Sequence, residues 1–246
     1  QWRHVEEGAY AADISTDGTL AVVSGINNGV NVWRVGEEKP LYHWGHQGEG
    51  NNLVISIHIA ADNSYAVTAD REAFALWSLE TGEPEGFWRI DEASIRDVAV
   101  TNNGEGILVA RSNGKVMFFE PRTQRRLEFL GHQEKVNSID ISPNGKYALT
   151  GGNDYIAYLW STDTGQIIHS FTHPTRVSKV ALDDSGRFAF TADSQNKSQI
   201  WNVQTGEPVS TLRYFARQRI FTDAEFSKDG KYLLTGSPSR QVYLWN

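Results

Sequence analysis

The chain has 246 residues, a formal charge of -7 and no cysteine. The missing thiols exclude disulfides, thiolate zinc sites and cysteine nucleophiles, and the acidic balance disfavours a surface that tracks nucleic-acid phosphates or anionic lipid. No apolar run approaches the roughly 18 residues of a membrane helix, so a soluble chain without membrane insertion is expected, and the length suits one repeat-built domain over residues 1–246.

In chain order, the first segment, QWRHV at 1–5, reads as a strand. A polar turn behind an apolar strand then recurs: STDG ending at Gly18, AADN at Asn63, TNNG at Gly104, SPNG at Gly145, DDSG at Gly186 and SKDG at Gly230, in steps of 41 to 45 residues. Asn-Gly and Asp-Gly pairs accept the positive φ of tight hairpins, so each copy marks a crossing between antiparallel strands. Fourteen or fifteen residues beyond each turn an alternating strand ends on an aromatic: Trp33, Trp77, Phe119, Trp160, Trp201 and Trp245. A second turn, TGEP at 81–84, DTGQ at 163–166 and TGEP at 205–208, launches a fourth, outer strand. The outer strands are LYHW, GFWRI, RLEFL, IIHSF and VSTLRY, five for six three-strand units. QWRHV is similar to GFWRI and supplies the sixth from the other end of the chain. Such closure pairs strand edges that would otherwise template aggregation.

The expected fold is all-β: six four-stranded antiparallel units in a ring closed by the N-terminal strand, with a seventh if the natural chain continues past LWN at 244–246. A jelly roll or sandwich would not repeat one four-strand unit at a near-constant period. These features resemble the WD-repeat β-propellers along essentially the whole chain. The fourth unit is the best copy, with Gly131-His132 ahead of VNSIDISPNGKYALTGGNDYIAYLWS and Trp160 falling 28 residues after His132. The resemblance implies a buried hydrogen-bonded network of His132, Thr150, Asp154 and Trp160. Six residues before the aromatic, the other units carry Asn27, Arg71, Asn113, Gln195 and Ser239 in place of Asp, so one unit alone is expected to keep the full network. SKDGKYLLTG and DDSGRFAFTAD resemble bacterial members, which points to the periplasm or cell envelope first and the cytoplasm second.

His132 beside Asp154 also has the make-up of a general base, but the network accounts for both and no nucleophile stands in register. The other histidines are scattered, and neither a GxSxG elbow nor a P-loop is present. No catalysis, metal or cofactor is expected. Eight tryptophans raise the possibility of sugar stacking. Five of them end third strands and belong between units, which leaves Trp2, Trp44 and Trp88 on outer strands.

The expected function is a non-catalytic scaffold that holds a protein or peptide partner, an acidic one among the candidates, on the face around the central channel. The alternative is a propeller that binds a glycan or small molecule, or an enzymatic one. Inner-strand starts and the loops between second and third strands build that face. They contribute Tyr10, Arg96 and Asn137 from the strand starts, and Arg71, Arg111, Tyr155 and Arg240 from the loops. Arg71, Arg96 and Arg111 come from neighbouring units and are expected to converge into a basic spot. The loop YFARQR, with Tyr214, Phe215, Arg217 and Arg219, is a second candidate. The chain by itself is expected to be monomeric.

Overall fold

The computed structural model describes residues 8–26, 29–46, 53–195, 197–212, 221–237 and 241–246. Six antiparallel sheets follow one another along the chain, each with its strands in sequence order. Blade 1 holds β1 (Ala9–Ile14), β2 (Leu20–Gly25), β3 (Val30–Arg34) and β4 (Pro40–Trp44); blade 2 holds β5 (Ser56–Ile59), β6 (Tyr65–Ala69), β7 (Ala73–Ser78) and β8 (Pro84–Arg89). Blade 3 consists of β9 (Ile95–Val100), β10 (Ile107–Arg111), β11 (Val116–Glu120) and β12 (Arg125–Phe129), and blade 4 of β13 (Val136–Ile141), β14 (Tyr147–Gly152), β15 (Ile156–Ser161) and β16 (Ile167–Thr172). Blade 5 comprises β17 (Val177–Leu182), β18 (Phe188–Asp193), β19 (Ser198–Asn202) and β20 (Pro208–Thr211); blade 6 shows three strands, β21 (Asp223–Phe226), β22 (Leu233–Ser237) and β23 (Gln241–Trp245). This is an all-β, six-bladed propeller. The expected closing strand at 1–5 lies outside the described residues.

The polar turns work as their composition dictates. Each first hairpin reverses through residues at positive φ, from Gly18 at 69° to Gly230 at 66°, and Asn63 takes the glycine's place in blade 2 at 60°. Among the described residues the one departure is in blade 3, where Asn102–Gly104 form a 3-10 turn.

Alternation along the middle strands sends one set of side chains toward the preceding blade and the other toward the next, so five interblade cores form in succession. Between blades 3 and 4, Leu108, Phe118 and Phe129 meet Ile139, Ile141 and Trp160; between blades 4 and 5, Leu149, Leu159 and Phe171 meet Val180, Leu182 and Ala189. Complete burial of such a leucine contributes on the order of 2 kcal/mol.

Inner strands are sheet edges, and their N–H groups need acceptors that no neighbouring strand supplies. Side chains of the preceding blade supply them. Ile59 N donates to Asp13 at 2.7 Å, Val100 N to His58 at 3.2 Å, Ile139 N to Asp97 at 3.0 Å and Leu182 N to Asp140 at 2.7 Å. Between blades 5 and 6 the link is an ion pair, Lys179 Nζ to Asp223 at 2.7 Å. These residues line a central channel of about 420 Å³.

Candidate functional site

The pair with the make-up of a general base, His132 and Asp154, is held in a buried structural network. His132 donates or accepts at both ring nitrogens, toward Asp154 at 2.9 Å and Thr150 Oγ1 at 2.7 Å, and the Trp160 indole donates to the same hydroxyl at 2.8 Å. The His132 side chain is 0% exposed, which removes it from any substrate. Burial pulls the Asp154 carboxyl upward, but hydrogen bonds and charge from His132 with the N–H groups of Gln133 and Ile156 outweigh it and hold it below its ordinary value.

This network is not confined to one blade. In blade 2, His46 meets Asp70 at 3.0 Å and Thr68 at 2.8 Å, and Trp77 donates to Thr68 at 2.8 Å. Blade 5 repeats the His173, Thr191 and Trp201 part, both bonds at 2.8 Å, with Asp193 at 3.9 Å from the ring. Counting back from the aromatic hides these carboxylates, because Asp70 and Asp193 stand two residues after their threonine whereas Asp154 stands four after its own. Blade 4 has Gly152 at the earlier place, where a Cβ would lie 2.7 Å from both Asp154 Oδ1 and His132 Nδ1. The glycine leaves the room that Asp154 fills from the turn. Blade 3 replaces the pair outright: Phe119 and Val109 stand where blades 2, 4, 5 and 6 have Trp and Thr, so donor and acceptor vanish together and neither is left buried alone.

The surface on which the inner strands begin, the top face, carries the remaining candidates. Tyr10 is 55% and Tyr155 52% exposed, and Tyr155 sits at φ 69° in its loop. Arg71 and Arg96 are exposed, and the bond from Ile95 N to the Arg71 carbonyl, 2.8 Å, places these two neighbouring blades' arginines side by side. Asn137 is half-buried and works as a clasp, donating to Asn153 Oδ1 at 2.9 Å and to the Val177 carbonyl of blade 5 at 2.8 Å.

Arg111 does not join the basic spot. Its side chain is 4% exposed and its guanidinium is held by the Glu128 carboxylate and, at 3.6 Å, by Glu92. A charge at the buried end of β10 must be paired, and the outer strand β12 and the loop before β9 provide the partners. Two cations that strand-start counting misses take its place, Lys135 and Arg176. Asn153 N bonds the Lys135 carbonyl at 2.8 Å and Ser194 N the Arg176 carbonyl at 3.0 Å, so both stand on the same rim. Their signal was periodic: each lies ten residues before its turn glycine, Gly145 and Gly186. Tyr214, Phe215, Arg217, Arg219 and Arg240 lie outside the described residues.

Beneath the rim the channel is acidic. Burial, the largest cause, pushes the carboxyls of Asp13 and Asp140 up to about 7 against the lowering effect of their backbone N–H bonds. His58 is pushed down to about 4 by burial and by Lys179, in keeping with its Nδ1 accepting from Val100. No group of three or more ligating side chains suited to a metal occurs among the described residues, and no helix is long and apolar enough to cross a membrane. Of the described tryptophans none is exposed, and Trp44 and Trp88 stack on Trp77 and Phe74.

Residues 123–161 and 206–246 match the WD40 family, described as WD domain, G-beta repeat. The chain is similar to Polyadenylation factor subunit 2 of Cryptococcus neoformans, 28% identical over 92 residues, which cover 37% of this chain and 13% of that protein. It is similar to Pre-mRNA-processing factor 19 of Caenorhabditis elegans, 25% identical over 159 residues, 62% of this chain and 31% of the relative. A third is Eukaryotic translation initiation factor 3 subunit I of Meyerozyma guilliermondii, 31% identical over 78 residues, 31% of this chain and 22% of the relative. The chain thus spans less than a third of each of these curated relatives. All three are eukaryotic, and the comparisons give the expected bacterial origin and cell-envelope setting no support.

Proposed function

We propose that this six-bladed propeller, two stretches of which match WD40 repeats, is a non-catalytic scaffold that holds a protein partner on the top face around the channel. One observation carries the reading: the buried histidines and aspartates and the described tryptophans are engaged in blade networks, in bonds between inner strands or in ring stacks, while Tyr10, Tyr155, Arg71 and Arg96 stand exposed together on one face. Tyrosine and arginine are the side chains that contribute most at protein interfaces. Two relatives are by name subunits and two are by name factors in RNA maturation, which supports a subunit of an RNA-processing assembly as the setting.

The test is capture of partners from a eukaryotic extract by the wild-type chain, by a Tyr10→Ala/Tyr155→Ala variant and by Ile168→Ala, an exposed outer-strand control. A partner retained by the control and lost from the double variant, whose melting temperature is unchanged, supports the top face. Equal capture by all three overturns it.

A further inference from the structure

Three cations from successive blades meet on the top face. Arg96 begins blade 3, Lys135 precedes β13 of blade 4 and Arg176 precedes β17 of blade 5, with Arg71 beside Arg96 through the Ile95 to Arg71 backbone bond. They are close enough to act on one another: burial first, then the charges of Arg96 and Arg176, push the Lys135 ammonium below its ordinary range. Several cations elsewhere on the molecule are paired, Arg89 with Glu72, Arg125 with Glu120, Lys115 with Glu92 and Lys179 with Asp223, and others among the described residues, such as Lys146, stand unpaired, so it is the gathering of cations from successive blades that sets this rim apart. Among the described residues, none of Arg71, Arg96, Lys135 and Arg176 has an ion pair or a side-chain hydrogen bond.

Mutually repelling cations left uncompensated on a chain of formal charge -7 cost stability without any return inside the fold. We infer that this rim, Arg96, Lys135 and Arg176 with Arg71 alongside, is a subsite for an acidic peptide segment of the partner. The inference rests on the top-face reading and adds the chemistry of the bound segment. The carboxylates of Asp97 and Asp140 sit one step deeper in the channel, so such a segment lies across the rim, from blade 3 to blade 5, and does not thread downward. A nucleic acid fits less well, because a phosphate backbone needs a longer basic track than three or four side chains on an acidic body.

The probe is a fluorescein-labelled oligoglutamate peptide, followed by anisotropy at low and at physiological salt. Saturable binding that weakens with salt is expected, and Arg96→Glu/Arg176→Glu and Lys135→Glu should each weaken it by about tenfold or more. Lys146→Glu, an exposed site in the β13–β14 turn at the far end of its blade, should leave it within about twofold. Glutamine versions of the rim residues should weaken binding less than the glutamate versions while melting at or above the wild-type temperature, since they relieve repulsion. Absence of binding at low salt, equal loss in Lys146→Glu, or tighter binding of an oligoribonucleotide on the same residues overturns the inference. If partner capture depends on Tyr10 and Tyr155 but oligoglutamate does not bind, the acidic subsite falls and the top-face reading stands.

Discussion

Blades 4 and 6 grow from one motif and end in different surroundings. In both, a third-strand indole donates to a second-strand threonine, Trp160 to Thr150 at 2.8 Å and Trp245 to Thr235 at 2.9 Å. In blade 4 the side chains aimed at the next blade, Leu149, Ala157 and Leu159, are each 0% exposed. Their counterparts by strand register in blade 6, Leu234, Val242 and Leu244, are 46%, 67% and 66% exposed. A hydrogen bond inside a hairpin is the hairpin's own property. Burial belongs to whatever stands opposite.

The comparison can be broken most sharply at the leucines. Leu159→Ala should cost about 2–5 kcal/mol in urea denaturation, and Leu244→Ala about 0.5 kcal/mol or less. Equal costs would mean that the blade 6 face is covered in solution. The hydrogen bonds give the next largest effect: Thr150→Val leaves the Trp160 indole and a His132 nitrogen buried without a partner and should cost about 1–3 kcal/mol, whereas Thr235→Val beside the half-buried Trp245 should cost about 1 kcal/mol. If the two thresholds of unfolding move equally, burial does not set the value of this bond.

A third measurement concerns the channel shared by all blades. Asp13 and Asp140 rise from 3.8 to about 7 in the fold, so their contribution to stability is fully present below about 4 and is lost as pH climbs through about 7. His58 and His173, lowered from 6.5 to about 4, run the other way: their contribution is present above 6.5 and is lost as pH falls toward 4. Below 6.5 the two sets oppose each other, and above it the carboxylates act alone. Stability should therefore fall by about 1 kcal/mol between pH 6.5 and 8, and Asp140→Asn should remove part of that fall. A urea midpoint indifferent to pH over this range would refute the assignment. The smallest effect is at Arg111, where Arg111→Ala should lower stability by about 1 kcal/mol while leaving oligoglutamate affinity unchanged; a loss of affinity would return Arg111 to the binding rim.

How much of this is legible along the chain depends on the range of each interaction. The six hairpins and the aromatics that end third strands follow from turn residues and alternation, both decided within a few residues. The blade 4 network follows from the family resemblance that its motif carries. Asp70 escapes the same spacing because it stands two residues after Thr68 whereas Asp154 stands four after Thr150, and only the histidine's position shows that Asp70 and Asp154 do one job. Arg111 looks identical to Arg71 in a list of loop residues. What separates them is Glu128 on β12, two strands across the blade, and Glu92 on the loop before β9.

Local chemistry by itself thus settled the repeat, its strand directions and its turns, since positive φ at Asn-Gly and Asp-Gly and a period of two need no distant partner. The closing of the inner edges by Asp13, His58, Asp97 and Asp140, the sorting of paired from unpaired arginines and the gathering of Lys135 and Arg176 beside Arg96 were decided by tertiary structure. The inner-edge bonds depend on which residue about forty positions away is brought within reach and the arginine sorting on carboxylates 17 and 19 positions from Arg111, and a charge or a donor acquires its role only once that neighbour is in place.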